Sequence, residues 1–216
     1  IVVYKPSQAY NAELNKLFKT AWKDWLDKIN PYITSRYDVL GSCEDEQALQ
    51  LLKAFGQFQV LCAVREGPWG VVNLNRIIAQ SLGFPNLQWF VGRPVMVTQN
   101  NYHLKLMNGD VGLCLPKEGV LKVAFLGADN VIQWVLPSRL ESVESVFAMT
   151  VHKSQGSEFN QVCLVLPDKH SLVLNRELLY TGITRAKTIL HLVLPNEVVF
   201  SNALKFKVTR TGGLSF

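Results

Sequence analysis

Two short polar clusters hold most of the reactive side chains in this sequence. The first is His152, Lys153, Ser154, Gln155, Gly156, Ser157 and Glu158, which supply an imidazole, a cation, hydroxyls, an amide and a carboxylate in seven consecutive positions. The second is Tyr180, Thr181, Gly182, Ile183, Thr184, Arg185 and Ala186. A glycine lets backbone approach a ligand closely, and the groups around Gly156 suit phosphate oxygens. Arg185 has a planar, permanently charged fork that matches a phosphate whose charge grows during reaction. Standing alone the first cluster reads better as a solvated loop, and Arg185 equally as a structural ion pair at a helix end.

What is missing narrows the chemistry further. The sequence has no GxxxxGK[ST] phosphate loop and no acidic pair after a strand to hold magnesium. It has no HExxH and no GxSxG. A chain without a phosphate cradle is expected to hold half of a nucleotide site and not to hydrolyse a nucleotide by itself.

The surrounding pattern shows which elements must position the clusters. Residues 146–151 form a short apolar run that feeds directly into the first cluster, and residues 162–166 form another just after it. Such runs read as buried parallel strands. Ligands of open α/β sheets sit outside the carboxyl ends of strands, which favours the first loop. Residues 175–186 read as a helix carrying Arg176, Tyr180, Thr184 and Arg185, and residues 188–194 as a further buried strand. Residues 57–64, 65–70 and 71–82 read as a strand, a loop and a helix that stops at Gly83, one half of a parallel α/β unit.

Upstream, residues 11–29 read as one helix with Leu14, Leu17, Phe18, Ala21, Trp25 and Ile29 on a single face, ended by Pro31. Lys16, Lys19, Lys23 and Lys28 fall mostly on other faces and suit solvent. Ser42 and Asp45 resemble a capping box for a helix that runs to about residue 55 and stops at Gly56. From Gly92 the texture changes to short strand-like runs at residues 95–98, 111–115, 120–126 and 131–136, separated by turns rich in Asn, Gly, Asp and Pro. This spacing predicts a small antiparallel barrel over residues 93–140, inserted in the α/β domain. The basic stretch 205–216 reads as a loose or edge segment.

The chain is 216 residues long and 48% hydrophobic, enough for one large domain or two small ones with a packed core. A net charge of +5 suits contact with a polyanion without requiring it. Cys43, Cys62, Cys114 and Cys163 are widely separated, which predicts reduced thiols in a cytoplasmic protein and no structural zinc. No stretch has the length of a membrane span and no signal peptide is visible, so no membrane partner is expected. The chain opens on Ile1, which suggests a piece of something longer.

The run from Thr150 through Val151 to Glu158 resembles motif V of the superfamily-one helicases. The run from Tyr180 to Ala186 resembles their motif VI. Gly92-Arg93-Pro94-Val95-Met96-Val97, Asn100-Asn101-Tyr102 and Asn108-Gly109-Asp110-Val111-Gly112 resemble the barrel insert of the RecD-like branch. Leu61-Cys62-Ala63-Val64-Arg65-Glu66-Gly67-Pro68-Trp69-Gly70, followed by Leu74-Asn75, is similar to the exonuclease V type of that branch more than to its stand-alone type. The resemblance covers residues 57–216.

What it implies is an α/β fold with a RecA-like, P-loop-NTPase-type parallel sheet: a second motor domain without its own phosphate loop, carrying an inserted SH3-like β-barrel. Residues 1–56 would be a helical lead-in, 57–92 and 141–216 the motor domain, and 93–140 the barrel. Arg185 would be an arginine finger in cis on the γ-phosphate, with Gln155 beside it in catalysis. Gly156, Glu158 and Arg65 would contact the nucleotide, and Thr150, His152 and Lys153 the DNA strand. Asn100 and Asn108 are further DNA candidates, although a tight turn suits Asn108 better and Asn100 suits a strand cap equally. Among Trp22, Trp25, Trp69, Trp89 and Trp134, stacking on bases competes with core packing, and Trp69 is the least easily explained as core.

The parent implied is an ATP-dependent 5′–3′ DNA helicase, using ATP and Mg2+ and acting on single-stranded DNA. Its partners would be the missing N-terminal motor domain and RecB-like and RecC-like subunits, in a helicase–nuclease that repairs double-strand breaks by recombination. Two alternatives stay open: a non-catalytic module that binds DNA or a subunit, and part of a stand-alone RecD-like or conjugative helicase.

Overall fold

The computed structural model describes residues 1–33, 41–127 and 130–205. The expected loose segment therefore lies, from residue 206 on, outside the described residues. In chain order the elements are β1 (Val2–Tyr4), α1 (Ala12–Ala21), α2 (Lys23–Ile33), α3 (Asp45–Phe55), β2 (Phe58–Cys62) and α4 (Val71–Ser81). There follow β3 (Pro94–Val97), β4 (Val111–Lys117), β5 (Val120–Leu126), β6 (Ile132–Val135) and β7 (Val143–Ser145). The last are β8 (Ala148–Thr150), β9 (Phe159–Val165), α5 (Arg176–Ile183), β10 (Ala186–Val193) and α6 (Glu197–Lys205). They fall into two compact units, one built from Ile1–Ala9, Val60–Asn73 and the chain from Met149 on, the other from Tyr10–Gln59 and Leu74–Ala148.

The first unit is organised on a sheet with strand order β1-β10-β9-β2-β8. β1 pairs parallel with β10, and β10 parallel with β9, with Leu190↔Val162 and Val193↔Val165 in register. The apolar halves of β9 and β10 are buried, as continuous apolar runs in a parallel sheet require. The run expected at 146–151 forms only the short β8, and β2 lies between it and β9. β1 and α6 had no counterpart in the sequence reading; the three residues of β1 carry no readable period. Tyr4 packs on His191, ring centroids 5.9 Å apart, with a hydroxyl–imidazole hydrogen bond of 3.3 Å. Burial pulls the His191 pKa below its ordinary value.

The second unit joins α1, α2, α3 and most of α4 to an antiparallel sheet of order β6-β5-β4-β3-β7. Its core includes Val95, Leu104, Leu106, Cys114, Val123, Phe125 and Val135. A Cβ on Gly112 would come within 2.8 Å of Phe125 and Val123, so only glycine lets that ring close over β4. The sheet continues past Leu140 into β7, reached through a 3-10 turn at Pro137–Arg139.

The helix expected over 11–29 is two helices. Trp22 caps α1 at φ −96°, ψ 16°, and turns the chain into α2. Pro31 does not end α2. It sits in the last turn, where its missing N–H removes one hydrogen bond and the helix still reaches Ile33. α3 is capped by Glu44 and Gln47 and not by Ser42 and Asp45; the Ser42 hydroxyl donates to Glu44 instead. The break at Trp22 seats its indole flat on Phe55 at 5.7 Å and edge-on to Phe58 at 4.8 Å, with its N–H donating to the Phe55 carbonyl.

Trp69 is only 2% exposed, against the expectation of a surface role, because the loop around it is tightly wound. All four cysteines are buried free thiols, and burial pushes Cys114 up to about 12. Among the described residues no three His, Cys, Asp or Glu side chains are grouped to hold a metal. No described helix is long and apolar enough to cross a membrane.

Truncating the ring at the centre of the aromatic cluster should be costly. Trp22→Ala is expected to lower unfolding free energy by about 3–5 kcal/mol in urea titrations. Tyr180→Ala, at a side chain 70% exposed, should change it by no more than about 0.5 kcal/mol.

Candidate nucleotide and nucleic-acid site

β8 delivers the chain to Thr150, whose hydroxyl accepts the Lys153 N–H at 3.3 Å and opens a 3-10 turn over Val151–Ser154. Ser154 is fully buried and donates to the Val151 carbonyl at 2.7 Å, closing the same turn from its other end. His152 and Lys153 are left exposed between these two anchors. Two further backbone bonds, Gln155 N–H to His152 and Ser157 N–H to Ser154, carry the chain around. Gly156 has φ +84°, and a Cβ there would meet nothing within 4 Å. Glycine is needed for backbone conformation and not for space. Glu158 is exposed and faces Lys187 at 3.5 Å, a surface pair worth little on its own.

Arg185 comes from the far end of α5, whose N-terminus is capped by the Asn175 side chain accepting from Leu178. α5 comes close to β9 because Gly182 has no Cβ: one placed there would be 2.9 Å from Leu164 and 3.3 Å from Val151. This packing sets Arg185 beside the first cluster. Its Nη1 donates to the Ser157 carbonyl at 3.1 Å, its Nε to Thr181 at 3.2 Å, and its Nη2 to the Thr184 hydroxyl at 3.4 Å. The Arg185 carbonyl accepts the Phe159 N–H at 2.9 Å, joining the starts of β9 and β10. A guanidinium carries five N–H bonds. Three are engaged here, which leaves two directed at no protein acceptor among the described residues.

The two polar clusters thus meet in space. The carboxyl-end rule accounts for Thr150, which ends β8, and not for Glu158 and Arg185, which precede the amino ends of β9 and β10. Arg65 follows β2 in the loop that leads to α4, near Glu66 at 3.9 Å. That loop is tight, since a Cβ on Gly70 would lie 2.4 Å from the Glu66 carbonyl oxygen.

Asn100 and Asn108 belong to the second unit, whereas the other candidate residues belong to the first. They lie in the connection between β3 and β4. The Asn100 Oδ1 accepts the Asn108 backbone N–H at 2.8 Å, and its Nδ2 reaches the Tyr102 hydroxyl at 3.4 Å. Gly109 at φ +99° turns the chain immediately after Asn108. Sequence reading missed the contributions of Ser157, Gly182 and Lys187. Gly182 lay within a recognised motif, but a backbone carbonyl such as that of Ser157 leaves no mark in a sequence.

The matched family fits the clusters. Residues 145–193, which span both, match the UvrD-like helicase C-terminal domain. The chain is 39% identical to the RecBCD enzyme subunit RecD of Haemophilus influenzae over 184 residues, 80% of this chain and 27% of that protein. It is 39% identical to the same subunit of Mycobacterium tuberculosis over 168 residues, 76% and 29%. The ATP-dependent RecD2 DNA helicase of Deinococcus radiodurans is 36% identical over 140 residues, 61% and 19%. The chain is similar to these RecD proteins and spans under a third of their length. Among solved structures it aligns with the Pif1 helicase from Bacteroides in complex with ADP-AlF3 and ssDNA, at 17% identity and a TM-score of 0.42, over 84% of this chain and 52% of that one.

If Gly156 serves conformation and not space, the residues tolerated there follow. Gly156→Ala should lose about 1–2 kcal/mol of stability in chemical unfolding. Gly156→Asn should lose less, because asparagine enters the left-handed region more readily.

Proposed function

We propose that this chain is the C-terminal motor half of an ATP-dependent 5′–3′ DNA helicase, a RecD-like subunit of an exonuclease V-type helicase–nuclease. The observation that carries it is the Arg185 guanidinium, tethered to the loop bearing Gln155, Gly156 and Glu158 with two N–H bonds unspent. A tethered arginine with spare donors can meet a γ-phosphate as charge builds on it, at little cost in reorganisation. Gly156 in its left-handed conformation would expose backbone to the same phosphates, with Gln155, Glu158 and Arg65 as further polar contacts. The donor set fits a nucleotide polyphosphate. Mg2+ would be held with ATP by the other motor domain.

Thr150, His152 and Lys153 would meet the DNA strand, so that one turn senses both ligands. The first unit is read as the second RecA-like domain, lacking a P-loop. The antiparallel pairing of β3, β4, β5 and β6 and the long connection before β4 support an inserted SH3-like barrel at residues 93–140. Residues 1–56 would lead into the motor domain formed by 57–92 and 141–216. Asn100 and Asn108, in the connection between β3 and β4, would be further DNA contacts, although the turn at Gly109 suits Asn108 to a structural role. The parent would act in the cytoplasm on single-stranded DNA with RecB-like and RecC-like partners, in recombinational repair of double-strand breaks. This chain alone would not turn over ATP.

DNA-stimulated ATP hydrolysis by the full-length parent tests the proposal. Arg185→Ala should lower turnover by about three orders of magnitude, with affinity for single-stranded DNA retained. Unchanged turnover would remove the finger assignment and favour the non-catalytic binding module.

A further inference from the structure

The segment that enters the first polar cluster is held where one would not look for catalytic parts. β8 is the last strand of its sheet, so one side of it lacks a strand partner among the described residues. Asn75, on α4, fills that place for Ala148. Its Nδ2 donates to the Ala148 carbonyl at 2.9 Å, and its Oδ1 accepts the Ala148 N–H at 3.1 Å. One carboxamide thereby reproduces the two-bond exchange that a residue in an antiparallel ladder makes with its partner. Gln59, on β2 and only 2% exposed, donates its Nε2 to the Phe147 carbonyl at 3.0 Å and the Val146 carbonyl at 3.3 Å. The carbonyls of three successive residues are thus taken by two side-chain amides. Val146, Phe147 and Ala148 are themselves buried, so water cannot stand in for those amides.

We infer that Gln59 and Asn75 are positioning residues that set the register of the strand leading into Thr150. Two peptide units separate Ala148 from Thr150, too few to absorb a slip before the Thr150–Ser154 turn begins. A one-residue slip in a strand turns every side chain to the opposite face. Apolar packing of Phe147 resists such a slip, but packing alone has no direction along the backbone, whereas paired amide bonds do. Neither residue touches a ligand in this scheme. Each acts through the loop that bears Thr150, Gln155 and Glu158, and on to Arg185 through the Ser157 carbonyl. The catalytic consequence rests on the nucleotide-site reading above; the positional one does not.

The test uses the full-length parent with Asn75→Leu, which keeps the side-chain shape and removes both bonds, and the milder Asn75→Asp, which keeps only an acceptor. Amide hydrogen exchange over residues 148–158 is followed alongside steady-state ATP turnover with single-stranded DNA. We expect lost protection at Ala148 that spreads through Thr150 to Glu158, and kcat reduced about 100-fold with a much smaller change in KM. If Asn75→Leu fails to fold, Asn75→Asp is expected to show the same spread with a smaller loss of kcat. Loss of protection confined to Ala148, with kcat intact, overturns the inference and leaves a structural bond. Spreading exchange in a parent whose wild type shows no DNA-stimulated turnover supports the positional role and overturns the nucleotide-site reading instead.

Discussion

The hydrogen bond from Arg185 Nη1 to the Ser157 carbonyl is the constraint on which the site depends. It ties two segments far apart in sequence and exists only because two backbone conditions are met. Gly182 must lack a Cβ so that α5 can lie against Leu164 and Val151. β9 and β10 must start together, which the Phe159–Arg185 backbone bond and the parallel Ala186↔Phe159 pairing bring about. Neither condition is a matter of charge. The electrostatics of the site are therefore a consequence of packing: apolar strands fix the frame, and the frame delivers a cation to a polar loop. A tether of this kind also limits how far the guanidinium can wander, which matters for a group whose stabilising effect falls steeply with misplacement.

The second unit is held together by a different logic. Lys117, at the end of β4, pairs with Glu44 at 2.6 Å and lies 5.3 Å over the Trp134 ring, while the Trp134 N–H donates to Asp45 at 2.8 Å. The Cys43 N–H adds a backbone bond to the Pro116 carbonyl at 2.8 Å. These contacts fasten the start of α3 to the antiparallel sheet. Hydrogen bonding to Glu44 raises the Lys117 pKa, but partly exposed ion pairs contribute little energy each. Their value here is orientation, and the energy comes from the aromatic cluster around Trp22 and the apolar core of the sheet.

How much of this was legible in the sequence depended on the kind of signal. Continuous apolar runs announced β2, β9 and β10, and the Asn-Gly-Asp and Pro-Lys-Glu-Gly turns announced the antiparallel strands, because period and turn chemistry are local. The chemistry of the two clusters was equally visible. What was hidden depends on three-dimensional contacts, some between distant residues and some within a single turn or cap. The break at Trp22 follows from its stacking on Phe55 and Phe58, which no window along α1 contains. Burial of Trp69 follows from the close approach at Gly70, and capping of α3 by Glu44 depends on where Gln47 reaches back. Asn75 stood beside a recognised motif without a role, because its partner, Ala148, is 73 positions away.

The central claim is that Arg185 serves the transition state of phosphoryl transfer and not the ground state. The most direct measurement compares the affinity of the full-length parent, bound to single-stranded DNA, for ADP alone and for ADP with aluminium fluoride, in wild type and Arg185→Ala. A group that acts on developing charge should leave ADP affinity nearly unchanged and lower affinity for the transition-state mimic by about 100-fold or more. Equal weakening of both ligands, or of neither, would contradict it: Arg185 would then be an ordinary nucleotide contact or a structural tether of the loop.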